Sequence, residues 1–107
     1  MTKAQPEFGI FAAKLNAELV GYASYYSIPF TYSLQPTFVL QQLYVSQSHR
    51  SNKIGKFLFN ELKLQARDAG AGKLEWRVMP SNTLAKRFYR CLGGLEEDTW
   101  EHWTITL

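Results

Sequence analysis

A single domain built on a mixed α/β sheet, in the order β-β-β-α-β-α-β, is what this sequence predicts. Three observations predict it. Apolar, aromatic and β-branched residues fill three short runs between Phe8 and Val45, separated by turn residues. At Ile54 the apolar period lengthens: Ile54, Leu58, Leu62, Ala66 and Ala69 fall four and three apart, on one helix face. A short alternating run and a second helical run then follow. A strand, helix and strand in succession make a crossover, which pairs its strands in parallel.

The elements can be taken in order. Phe8 to Ala13 and Leu19 to Ser27 read as two strands, joined at Asn16, a residue that tolerates tight turns. Pro29 and Pro36 bracket a loop. Phe38 to Val45 is a third strand, with Phe38 and Leu40 turned inward and Leu43 a candidate for the same face. The helix from Lys53 or Ile54 ends at Gly70. Leu74, Trp76 and Val78 alternate with Glu75 and Arg77, and Pro80 breaks that strand. Ser81 or Asn82 can cap a second helix, whose inner face is Leu84, Phe88 and Cys91 or Leu92; Gly93 and Gly94 end it. Trp100 to Leu107 reads as a last strand.

The chain has 107 residues, a length that suits one domain over residues 1–107. Seven Phe, six Tyr and three Trp favour a packed core over disorder. No window reads as a signal peptide or a membrane span, and no membrane partner is expected. Cys91 is the only cysteine, so no internal disulfide can form and a cytoplasmic setting is expected.

Charge is unevenly spread. Residues 19–49 hold no Asp, Glu, Lys or Arg. Residues 50–90 hold ten bases against Glu61, Asp68 and Glu75, whereas residues 91–107 hold four acids and no Lys. A basic middle suggests an anionic partner. No helix carries a nucleic-acid recognition pattern, so nucleic acid is not expected. The turn at residues 46–53 follows a strand, lacks acids and opens a helix. A helix start presents unpaired N–H groups and partial positive charge, which suits phosphate.

Three segments carry a family resemblance, one of them the aromatic run before the last strand. Leu43-Tyr44-Val45 followed by HRSNKIGKFL is similar to the pyrophosphate motif Arg/Gln-x-x-Gly-x-Gly/Ala, with Arg50 first and Gly55 last. SNTLAKRFYRCLGG is similar to an Asn-x-x-Ala-x-x-Phe-Tyr-x-x-x-Gly helix, through Asn82, Ala85, Phe88, Tyr89 and Gly93. Together they resemble the GNAT superfamily of acetyl-CoA dependent N-acetyltransferases, over roughly residues 8–107. The pattern is closest to the branch that acetylates diamines and polyamines.

The resemblance implies a site and a mechanism. The third and fourth strands would splay apart and admit the pantetheine arm. Backbone groups of Leu43, Tyr44 and Val45 would bond the arm, one N–H polarising the thioester carbonyl. The pyrophosphate would rest on residues from Arg50 through Ser51, Asn52, Lys53, Ile54 and Gly55 to Lys56. A small-molecule or peptide amine would attack directly, without a covalent enzyme intermediate. Tyr89 would protonate the leaving thiolate, and Asn82 would hold the arm. Acetyl-CoA is the expected co-substrate, with no metal.

Departures from the family pattern carry expectations of their own. Lys53 and Ser51 stand where glycines are usual, so the turn is expected to shift or to place a left-handed residue at Asn52. Gln41 and Gln42 replace the acidic pair that faces substrate in the polyamine branch. An amide cannot take a proton, so an already neutral amine, or a water held by His49, Glu101 or His102, is expected instead. The family places a strand and two helices ahead of the first hairpin, and a homodimer is expected to supply their cover. The alternative function is a non-catalytic acyl-CoA-binding or dimerisation module.

Overall fold

The computed structural model describes residues 7–29, 34–50 and 53–107. Its elements are β1 (Glu7–Leu15), β2 (Glu18–Ile28), β3 (Thr37–Val45), α1 (Ile54–Asp68), β4 (Lys73–Glu75) and α2 (Thr83–Cys91), with a single 3₁₀ turn at Gln47–His49 between β3 and α1. The sheet order is β1-β2-β3-β4. The first three strands are antiparallel, and β4 lies parallel to β3. This is the predicted mixed α/β architecture, observed as β-β-β-α-β-α.

Two compact units divide the chain, the first running to Arg77 and the second from Val78 to Leu107. In the first unit, β1 and β2 form a hairpin through Asn16 (φ 52°) and Ala17 (φ 68°). Two consecutive left-handed residues match the twist of the strands they join. The core lies between the sheet and α1. Val20, Ala23, Phe38 and Leu40 from the strands are buried with Ile54, Leu58, Phe59, Leu62 and Ala66. The helix reaches this closely because of Gly21: a Cβ there would stand 2.7 Å from the Tyr44 carbonyl and 3.3 Å from Ile54 and Leu58 side-chain carbons. Phe11, Tyr25 and Phe38 stack across three strands at 5.5 Å ring spacings, and Trp76 packs edge-on to Phe59 at 5.2 Å.

In the second unit, Asn82 caps α2 by accepting the Ala85 N–H at 3.0 Å. Gly93 (φ 94°) follows its end, where Gly93 and Gly94 N–H groups donate to the carbonyls of Arg90 and Tyr89.

Three expectations require correction. The last strand does not form: residues 101–107 have no regular structure, and Trp103, Ile105 and Leu107 are exposed. Alternation gives a segment two faces, but a strand also needs a hydrogen-bonding partner, and none pairs with this segment among the described residues. The fourth strand is only Lys73–Glu75, because its pairing with β3 ends at Val39. The inner face assigned to α2 is also incomplete: Leu84 is 75% exposed and Cys91 is exposed, while Phe88 and Leu92 are half-buried.

Candidate active site

The parting of β3 from β4 sets the geometry of the first unit. Thr37, Phe38 and Val39 pair with Lys73, Leu74 and Glu75; from Leu40 to Val45, β3 has no partner on that side among the described residues. On its other side β3 stays paired to β2 up to Gly21–Val45, and the Ser46 N–H donates to the Val20 carbonyl at 2.8 Å. Antiparallel ladders alternate bonded and non-bonded pairs. With Ser46 bonded to Val20, the Tyr44–Tyr22 pair is bonded too. The backbone groups of Leu43 and Val45 therefore point to the open edge, while those of Tyr44 are spent on β2. Of the three residues expected to bond a ligand arm, two face the opening.

The expected substrate positions lie upstream on the same strand. Ser24 pairs with Gln42 and Tyr25 with Leu40, which leaves Gln41 as the extra residue of a β-bulge. A bulge bends its strand and re-aims the neighbouring side chains. Both glutamines are exposed. Tyr44, beyond them, packs its ring at a tilt against Tyr22, 5.5 Å between centroids.

β3 then runs into the turn. The His49 N–H donates to the Ser46 carbonyl at 2.9 Å, closing the 3₁₀ turn. The Ser46 hydroxyl lies 2.7 Å from His49 Nδ1, and the Ser48 hydroxyl lies 3.0 Å from the same nitrogen. Arg50 Nε donates to the Val45 carbonyl at 3.1 Å. Sequence reasoning treated His49 as a turn or relay residue and passed over Ser46. The available signal was a hydroxyl three residues ahead of an imidazole in a tight turn. Ser51 and Asn52 lie outside the described residues.

Lys53 opens α1 in the left-handed conformation, at φ 61° and ψ 19°. The expectation of a left-handed Asn52 falls outside the described residues, but Lys53 itself takes the conformation that suits glycine. A residue with a Cβ there costs roughly 1–2 kcal/mol. The Lys53 side chain makes no cap bond to α1, and the first turn of the helix has no acid. The first intrahelical bond is Phe57 N–H to Lys53 carbonyl, so the amides of Ile54, Gly55 and Lys56 precede the helical ladder. These amides, with the exposed Lys53 and Lys56, form a cationic helix start. Lys53→Gly is expected to raise stability by about 1 kcal/mol by relieving the left-handed strain. Acetyl-CoA affinity should meanwhile change by less than about threefold. Urea unfolding and titration calorimetry check both; lower stability would mean that the lysine side chain supports the turn.

In the second unit, Tyr89 is half-buried, its ring edge-on to Phe88 at 5.1 Å. Burial pushes its phenol above the ordinary tyrosine value of 10.0. The neutral O–H form is thus favoured at neutral pH, which suits a proton donor. Asn82 spends its side-chain oxygen on the α2 cap, which leaves the amide N–H₂ as its donor end. Glu101 accepts from Trp103 Nε1 at 3.4 Å.

Residues 2–93 match the Acetyltransferase (GNAT) family. The chain belongs to this family. Solved structures agree in fold. An integron cassette protein from the mobile metagenome of V. cholerae superposes with a TM-score of 0.86 at 24% identity, covering 94% of this chain and 62% of that one. An aminoglycoside acetyltransferase, meta-AAC0020, from an uncultured soil metagenomic sample and in complex with trehalose, gives 0.82 at 25% identity, covering 94% and 66%. Aminoglycoside acetyltransferase AAC(6')-Iy in complex with a bisubstrate analog gives 0.81 at 18% identity, covering 94% and 71%. This chain thus spans less than two thirds of the first two proteins. In the GNAT frame the open edge of β3 and the start of α1 are the expected cofactor elements. Among the described residues, no helix is long and apolar enough to cross a membrane.

Proposed function

We propose that this GNAT domain transfers the acetyl group of acetyl-CoA to an amine of a small molecule or peptide. The observation that carries the reading is continuity: the open edge at Leu43 and Val45 leads through an eight-residue link into a helix start with no acid in its first turn. An open edge offers amides to a pantetheine arm, and a helix start offers them to a pyrophosphate. When bound, acetyl-CoA supplies an activated thioester.

The chain's own groups do the rest. The Val45 or Leu43 N–H polarises the thioester carbonyl. The amine nitrogen forms its bond to the carbonyl carbon as the carbon–sulfur bond breaks. Tyr89 gives its proton to the departing sulfur, and the amine's surplus proton passes to solvent. The amide donors of Asn82 hold the arm. Because Gln41 and Gln42 can neither remove a proton nor pair with an ammonium, the reading favours acceptors whose amine is readily neutral over polyamines. Amino groups on hydroxylated rings, as in the aminoglycosides that some structural neighbours are named for, fit two exposed amides better.

The second reading is a module that binds acyl-CoA without turnover. The same two glutamines favour it. Release of free thiol from acetyl-CoA in the presence of amines separates the two.

A further inference from the structure

Arg50 sits in the link between β3 and α1 and reaches back to the strand end. Its charge makes it an obvious anion ligand, yet its observed bond is to the protein. Nε donates to the Val45 carbonyl at 3.1 Å. That carbonyl faces the open edge, where no strand supplies an N–H among the described residues. A second tie lies beside it. Ser46 is held to β2 by its own N–H, accepts the His49 N–H and places its hydroxyl 2.7 Å from His49 Nδ1. The turn is thus fastened to the strand end at Val45 and at Ser46, just ahead of the left-handed Lys53.

We infer that Arg50 is a positioning residue, a strut whose Nε–H bond to Val45 fixes the turn, so that its N–H geometry matters more than its charge. The inference rests on the reading that this turn holds the cofactor's pyrophosphate. It also has a consequence that does not need the cofactor, namely a stiffer turn in the free protein.

The chemistry offers a clean dissection. Glutamine carries an N–H donor the same number of bonds from the backbone as arginine Nε, without the charge. Lysine keeps the charge but has a methylene at that place. Arg50→Gln, Arg50→Lys and Arg50→Ala are compared with the wild type in two measurements. In titration calorimetry with CoA, Arg50→Gln is expected within about threefold of wild-type affinity, whereas Arg50→Lys and Arg50→Ala weaken binding about tenfold, the scale of one hydrogen bond. In amide hydrogen exchange of the free protein, the His49 N–H exchanges about tenfold faster in the lysine and alanine variants and at the wild-type rate in Arg50→Gln.

Wild-type affinity in Arg50→Lys together with lost affinity in Arg50→Gln would make Arg50 a charge ligand and overturn the inference. So would His49 exchange that is indifferent to the residue at 50. A wild-type protein that binds no CoA would sink the proposed function, and hydrogen exchange would still decide the strut.

Discussion

Tyr89→Phe is expected to lower kcat by about a hundredfold or more, the span that a positioned acid contributes. The change removes one oxygen from a half-buried ring that packs edge-on to Phe88, and phenylalanine can keep that packing. Acetyl-CoA affinity should therefore stay within about threefold of the wild type, because the loss falls on proton transfer and not on binding. The direction of the Tyr89 shift gives a second signature. Burial raises the phenol above 10.0, so the protonated form persists through neutral and mildly alkaline pH. Any alkaline fall in rate that depends on Tyr89 belongs above pH 10.0. Steady-state kinetics with paired calorimetry check the first claim. Loss of binding on Tyr89→Phe would show that the tyrosine holds the cofactor instead of protonating sulfur.

Leu58→Ala is expected to cost about 2–5 kcal/mol of stability, the range for a buried leucine whose cavity does not fully close. Leu58 is 0% exposed and lies against Gly21, where a strand and α1 meet most closely. For a domain whose whole stability is about 5–15 kcal/mol, that loss is severe. Leu64, on the same helix and 50% exposed, supplies the control. Leu64→Ala should cost less than about 1 kcal/mol, since most of its side chain is already wet. Urea unfolding of both variants gives the comparison. Equal losses would mean that α1 does not bury the face assigned to it.

Much of this architecture could be read from the residues. The first three strands and α1 were legible because each has a strong period and a marked end: Asn16 in the hairpin turn, Gly70 after the helix, Asn82 at the α2 cap. Those are local rules, and local chemistry enforces them. What stayed hidden depends on partners. The alternation of Trp100 to Leu107 looked like a strand, but pairing is a tertiary event that alternation cannot supply. The early end of β4 was invisible for the same reason.

The candidate site divides along the same line. The basic turn was visible in its composition, whereas Leu43 and Val45 were reached through the family resemblance. The bulge at Gln41 was not visible, because two glutamines in a row carry no glycine or other sign of an irregular ladder. Nor did the residue type reveal that Lys53 takes a left-handed conformation. Lysine rarely adopts it, and here the demands of the strand–helix junction outweigh the residue's own preference. The Arg50 bond to Val45 is likewise a matter of three-dimensional reach.

Thiol release from acetyl-CoA by the wild-type protein tests the central claim most directly. The amines should include an aminoglycoside, a simple polyamine and a peptide N-terminus, with acetyl-CoA alone as the blank. The account predicts thiol release above the blank that depends on the amine, with the polyamine a poorer acceptor than the aminoglycoside. Release no faster than the blank with every amine, from protein that acetyl-CoA still stabilises against heat, would contradict it and leave a domain that binds the cofactor without turning it over.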